Sequence, residues 1–200
     1  PSSTQWITGA PLAFKDKVII GQSGADNGER GYVTAYDQAT GKQAWRFYPV
    51  PGSPQENKGD PLMERAEKTW WGEYWQGKTG GGPWGSISFD PALNHIYIGS
   101  ANPGQVDTAR VGKESGDQLY SSSIIALDAD SGKYVWHYQV NPRDAWDYGA
   151  NTQMSLAELM IDGKPRKVLM QAPKNGFLYV IDRENGKFIS AGKIVKVTWA

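Results

Sequence analysis

Short runs of β-branched and aromatic residues recur along the chain, each bounded by glycine, asparagine, aspartate or proline. Val18-Ile19-Ile20-Gly21, Ile96-Tyr97-Ile98-Gly99 and residues 32–36, 123–127, 134–139, 168–171 and 177–181 all fit short strands. Helix signals are sparse. Asp60-Pro61 predicts a capped helix through Lys68, and residues 155–160 predict one helical turn or two, both as insertions between strands. Residues 194–200 read as a further strand, cut off by the end of the chain.

The strands carry a repeat. Ala35-Tyr36-Asp37-Gln38-Ala39-Thr40-Gly41-Lys42-Gln43-Ala44-Trp45 and Ala126-Leu127-Asp128-Ala129-Asp130-Ser131-Gly132-Lys133-Tyr134-Val135-Trp136 share the template Ala-x-Asp-x-x-Thr/Ser-Gly-Lys-x-x-Trp. Val180-Ile181-Asp182-Arg183-Glu184-Asn185-Gly186-Lys187 is a degenerate copy without the tryptophan, and the segment from Phe89-Asp90 is a looser fourth. Each aspartate can bond the backbone of its own turn, and each glycine supplies the positive φ that closes a hairpin. The aspartates at 37, 90, 128 and 182 are spaced by 53, 38 and 54 residues, which predicts about four blades of a repeat architecture with insertions. Four-stranded blades leave exposed edges unless they close into a ring, so residues 1–200 are expected to form part of a single, incomplete β-propeller domain.

Composition agrees: nine tryptophans, ten tyrosines and 24 glycines in 200 residues suit a repetitive β architecture. Twenty-one basic and 21 acidic side chains cancel, which argues against nucleic acid or an anionic membrane surface as a partner. No apolar run is long enough to span a bilayer. The start at Pro1, without methionine, suggests a piece of a longer protein. Zero cysteines exclude a disulfide, a thiolate metal site and a covalent haem attachment within these residues.

The turn repeat alone suits a binding scaffold as well as an enzyme, so function must come from the segments that depart from it. Four glycine-bounded segments do: residues 21–28, 80–85, 99–104 and 144–151. Together with the template and in this order, they resemble the pyrroloquinoline-quinone-dependent alcohol dehydrogenases, the family of methanol and ethanol dehydrogenases. The likeness runs along essentially the whole chain. It implies an all-β fold, a partial eight-bladed β-propeller with tryptophan-docking repeats that holds pyrroloquinoline quinone and Ca2+ on its axis.

Residue by residue, the resemblance makes Trp84 the indole on which the flat quinone stacks, where a large aromatic face gains dispersion and desolvation. The loop before it is one residue shorter than the family's usual one. Asn102 becomes a calcium ligand through its amide oxygen. Asp26 stands where the family has glutamate, and its side chain is shorter by roughly 1 Å. Asp147 becomes the catalytic base and a calcium ligand, taking the alcohol's proton as hydride leaves carbon, with Asp144 as the alternative base. Lys174 approaches the quinone oxygens, and Thr8 and Ser23 bond the cofactor's carboxylates. Gly149 stands where lanthanide-using relatives carry a further aspartate, which favours calcium.

The implied reaction oxidises an alcohol to an aldehyde or ketone and passes electrons to a cytochrome c or a ubiquinone-linked acceptor. The resemblance leaves a homo-oligomer open, and periplasmic localisation is an expectation from the family alone. The rival readings are a non-catalytic propeller scaffold for protein assembly and a quinoprotein acting on sugars or polymeric alcohols. Trp70-Trp71-Gly72-Glu73-Tyr74-Trp75 fits either a wall of the substrate entrance or an insertion folded over the rim. His95 and His137 have no second histidine at metal spacing and read as structural.

Overall fold

The computed structural model describes residues 4–24, 27–77, 80–104 and 116–199. Twelve strands form three antiparallel four-stranded sheets, each in sequence order. The first contains β1 (Leu12–Phe14), β2 (Lys17–Gly21), β3 (Val33–Asp37) and β4 (Gln43–Phe47). The second contains β5 (Ile87–Asp90), β6 (His95–Gly99), β7 (Ser123–Asp128) and β8 (Tyr134–Gln139). The third contains β9 (Met154–Ile161), β10 (Lys164–Gln171), β11 (Phe177–Asp182) and β12 (Phe188–Lys193). The first strands are the inner ones: β5 touches both β1 and β9. Each sheet is a blade of a partial β-propeller.

The two-residue period of a strand explains why the middle blade is apolar throughout. Ile96, Ile98, Ile125 and Leu127 face the first blade and pack with Ile19, Val33 and Phe47. Tyr97, Ile124 and Ala126, one step out of phase, face the third blade and pack with Leu169, Tyr179 and Ile181. Both faces are covered, so alternation gives way to continuous hydrophobic runs in β6 and β7. β12, covered on neither side by another strand of the chain beyond β11, is largely exposed.

The repeated turn sets how one blade meets the next. Asp37 Oδ1 accepts from Thr40 N at 2.7 Å and Thr40 Oγ1 at 2.6 Å, and Asp128 Oδ1 accepts from Ser131 N at 2.8 Å and its hydroxyl at 2.6 Å. Trp45 then lies on the corresponding turn of the second blade and donates from Nε1 to Ala129 O at 3.2 Å; Trp136 does the same to Arg183 O of the third, also at 3.2 Å. A Cβ at Gly132 would fall 2.5 Å from the Trp45 ring, and one at Gly186 would fall 2.6 Å from Trp136. The glycines thus serve twice, with φ of +69° and +74° closing the turn and a bare Cα receiving the indole.

The structure corrects three expectations. Three four-stranded blades are described rather than about four, because Asp90 ends β5, an inner strand, whereas Asp37, Asp128 and Asp182 end third strands. Asp90 Oδ1 caps its own turn at Ala92 N, 3.0 Å away, and Oδ2 accepts from buried Arg183 Nε at 2.7 Å, tying the second blade to the third. Residues 155–160 are strand β9, paired over its whole length with β10 through the Asp162-Gly163 turn at φ +51° and +73°. The helix formers Leu156, Ala157, Glu158, Leu159 and Met160 are overruled by this Asp-Gly hairpin. Residues 194–199 form no strand.

The helix after Asp60 forms as expected over α2 (Pro61–Glu67), with Asp60 Oδ1 accepting from Leu62 N and Met63 N. A short helix α1 (Pro54–Asn57) precedes it, closed by a Ser53–Glu56 capping box. Trp70 and Tyr74 fasten this insertion, donating to Leu119 O at 2.6 Å and Gly52 O at 2.8 Å. Among the described residues no helix is long and apolar enough to cross a membrane.

Candidate functional site

Loops at one end of the three blades converge on a cavity of about 310 Å³. Trp6, Thr8, Ser23, Gly24, Asn27, Trp84, Ala101, Asn102 and Asp147 line it. Five residues singled out in sequence, Thr8, Ser23, Trp84, Asn102 and Asp147, therefore meet, although they come from five separate segments. Lys174 reaches the same mouth from the loop between β10 and β11, with Nζ 2.9 Å from Asp147 Oδ2. Asp26 lies outside the described residues.

Backbone contact explains the glycines. A Cβ at Gly21 would lie 1.7 Å from Pro83 O, and one at Gly85 would lie 1.9 Å from Asn151 O, so the Trp84 loop is wedged between the first and third blades. The indole remains 41% exposed and faces the cavity. Thr8 Oγ1 donates to Trp84 O at 3.3 Å, and Ser23 Oγ donates to Trp6 O at 3.1 Å. Either hydroxyl has to turn its proton away from the backbone to donate to an incoming carboxylate.

Asn102 is buried, and its Nδ2 donates to Gly104 O at 3.1 Å. One of its two N–H groups is thus used, and the amide oxygen is the atom a cation would take. Asp147 sits at the tip of its loop with φ +56°, a conformation uncommon for non-glycine residues and concentrated at functional sites. Asp144, the alternative base, is fully engaged: its buried carboxylate accepts from Ser122 Oγ at 2.7 Å and from Trp146 N, Tyr148 N and Gly149 N at 3.0, 3.1 and 2.9 Å. Its job is to hold the loop that presents Asp147. Among the described residues no group of three or more His, Cys, Asp or Glu side chains could hold a metal, so this cavity supplies one carboxylate and one amide oxygen.

His137 packs among aromatic rings. Nδ1 of His137 lies 2.8 Å from Tyr134 Oη, and its ring lies 4.5 Å from that of Tyr120; burial pushes the imidazole down to about 4. Sequence reading missed Trp6 and Asn27 on the cavity wall, the bonds that Asp144 makes and the burial of Asn151. Only the 144–151 segment signalled the last two. A larger cavity of about 560 Å³ lies beside the α1–α2 insertion, where Arg30 stacks on Tyr48 and Arg46 on Tyr32. Tyr74 and Trp75 of the aromatic 70–75 segment line it, whereas Thr8, Ser23, Trp84, Asn102, Asp147 and Lys174 do not.

Residues 2–197 match the family described as PQQ, glucose/ethanol/alcohol dehydrogenase, beta-propeller domain. The chain is 55% identical over 201 residues to quinohemoprotein alcohol dehydrogenase ADH IIB of Pseudomonas putida, covering 100% of this chain and 29% of that protein. The solved quinohemoprotein alcohol dehydrogenase of Comamonas testosteroni superposes with a TM-score of 0.93 at 52% identity, over 97% of this chain and 29% of the other. A europium-containing methanol dehydrogenase superposes with a TM-score of 0.87 at 40% identity, over 98% and 35%. The chain thus spans 27–29% of the length of the quinohemoprotein alcohol dehydrogenases it matches. Three docked blades, a converging loop cavity and a match along almost every residue place this chain in the PQQ glucose/ethanol/alcohol dehydrogenase β-propeller family.

Proposed function

We infer that the chain is the quinone-and-metal-holding part of a dehydrogenase that oxidises an alcohol to an aldehyde or ketone. The observation that carries this reading is the single cavity shared by Thr8, Ser23, Trp84, Asn102 and Asp147. A non-catalytic scaffold has no need of a half-exposed indole, an amide oxygen and a carboxylate on one wall.

Pyrroloquinoline quinone, when bound, supplies the two-electron acceptor that takes hydride from the alcohol carbon. Trp84 offers its face to that flat ring, and Ser23 and Thr8 offer hydroxyls to its polar edge. Asn102 and Asp147 provide oxygen ligands of the kind calcium prefers, and the rest of a shell of six to eight would come from cofactor, water and Asp26. Gly149 places no carboxylate beside Asp147, which supports calcium rather than a lanthanide. Asp147 Oδ1 takes the proton of the alcohol hydroxyl while Lys174 holds Oδ2 at 2.9 Å and so fixes the carboxylate's direction. Electrons would leave to a cytochrome c or ubiquinone-linked acceptor, in keeping with relatives named quinohemoprotein and cytochrome c dehydrogenases. Periplasmic export belongs to the same proposal.

The test uses the full-length protein loaded with pyrroloquinoline quinone and calcium, with dye reduction by ethanol as the assay. Asp147→Asn is expected to lower kcat by at least about 100-fold with quinone still bound. Full activity in that variant overturns the assignment of the base. Sugar oxidation without ethanol oxidation would replace the substrate class.

A further inference from the structure

We propose that Asn151 is a positioning residue that locks the Trp84 indole to the Asn102 loop and so sets the height of the stacking face against the metal-binding amide. The inference rests on the dehydrogenase reading for its purpose and on separate geometry for its substance.

Asn151 is buried, and its amide fits its surroundings in one orientation. Nδ2 donates to Gly99 O, while Oδ1 accepts from Trp84 Nε1 at 3.2 Å and from Ala101 N at 3.1 Å. The reverse orientation sets oxygen against a carbonyl and an amino group against two N–H donors. Backbone bonds reinforce the link: Ser86 N donates to Asn151 O at 3.4 Å, and Ala150 N, one residue earlier, donates to Ser100 O at 2.9 Å. Residue 151 therefore joins three connections, those between β4 and β5, between β6 and β7, and between β8 and β9.

The consequence concerns rotation. An exposed indole held only by its Cα–Cβ and Cβ–Cγ bonds can swing its face. Anchoring Nε1, which lies off the Cβ–Cγ axis, opposes that rotation and ties the plane to Ala101, one residue before Asn102. Preorganisation of this kind lowers the ordering cost of binding a flat ligand. An alanine at 151 would strand the Trp84 and Ala101 donors and the Gly99 acceptor together.

The experiment uses the full-length protein without cofactor. Exchange of the Trp84 indole proton, followed by nitrogen-15 NMR and assigned with Trp84→Phe, reads the anchor directly. Pyrroloquinoline quinone affinity, read by fluorescence titration, gives its effect. Asn151→Ala is expected to speed indole exchange and weaken quinone binding, each about ten-fold. Asn151→Asp keeps an acceptor for the indole and is expected to keep exchange within about three-fold of the parent. Added to Trp84→Phe, Asn151→Ala is expected to cost less than about three-fold in quinone affinity, because the anchored group is gone.

Unchanged exchange in a folded Asn151→Ala protein overturns the proposal, as does an equal affinity loss when the substitution is added to Trp84→Phe. A parent protein that binds no quinone refutes the dehydrogenase reading instead, and the exchange measurement still decides whether Asn151 holds Trp84.

Discussion

Replacing Gly132 by alanine probes the contact that joins the first two blades. Its turn has φ +69°, and the added Cβ would meet Cδ2 and Cε3 of Trp45 at 2.5 Å. Gly163 provides the control, with φ +73° and nothing within 4 Å of its Cβ position. Both substitutions incur the penalty of an L-residue at positive φ, about 1 kcal/mol. Only Gly132→Ala also forces the indole back by about 1 Å to reach a normal carbon contact. That retreat breaks the 3.2 Å bond from Trp45 Nε1 to Ala129 O, worth about 1 kcal/mol, and adds about 1 kcal/mol or more of overpacking. Gly132→Ala is therefore expected to cost about 2 kcal/mol more than Gly163→Ala. Urea unfolding of the intact protein followed by circular dichroism measures the difference. Adding Trp45→Leu to the Gly132→Ala protein should recover part of it. Equal midpoints for the two alanine variants would refute the idea that the indole dock sets blade packing.

The remaining expectations concern charge. Burial lowers His137 from 6.5 to about 4, so the unfolded chain binds more protons between those values; stability is full above pH 6.5 and falls, on the order of 3 kcal/mol, as pH drops towards 4. His137→Gln should flatten that slope in acid denaturation, and an unchanged slope would place the loss elsewhere. Arg183→Met strands the buried Asp90 carboxylate and is expected to cost about 3–5 kcal/mol, most of it recovered by adding Asp90→Asn, as thermal unfolding would show. Asp144→Asn turns an amino group towards several N–H donors, so activity should fall as the Asp147 loop loosens, with the alcohol KM and kcat both affected. Loss of kcat alone would mean that Asp144 acts directly on the substrate.

Much of the fold is legible because the chain repeats itself. The turn aspartates, the positive-φ glycines and the tryptophans stand at fixed spacing, and each does a local job that spacing alone dictates. Asp90 joins them wrongly in sequence, since an aspartate capping one turn looks like an aspartate capping another; what tells them apart is the strand order, which makes β5 an inner strand. β9 reads as helix because Leu, Ala, Glu and Met favour helices, and the Asp162-Gly163 turn that overrules them acts from outside the segment. Trp84, Asn102 and Asp147 stand out through family pattern, but nothing local reveals that they share one cavity. Asn151 works through amide bonds to distant segments, and Asp144 through bonds to its own loop and to the Ser122 hydroxyl, none of which leaves a periodic trace.

The indole dock also has a direction. The first blade gives Trp45 to the second and the second gives Trp136 to the third, so the contact is head to tail. Gly41 holds the same place in the first blade's turn, with φ +68°. The giving end is blunt: opposite Val180 on β12 stands Ser190, where β4 has Trp45 opposite Ala35 and β8 has Trp136 opposite Ala126. Among the described residues the indole therefore locks the first two joints and is not carried onward from the third blade, so those two joints share one lock that substitution of a single tryptophan can open at either place.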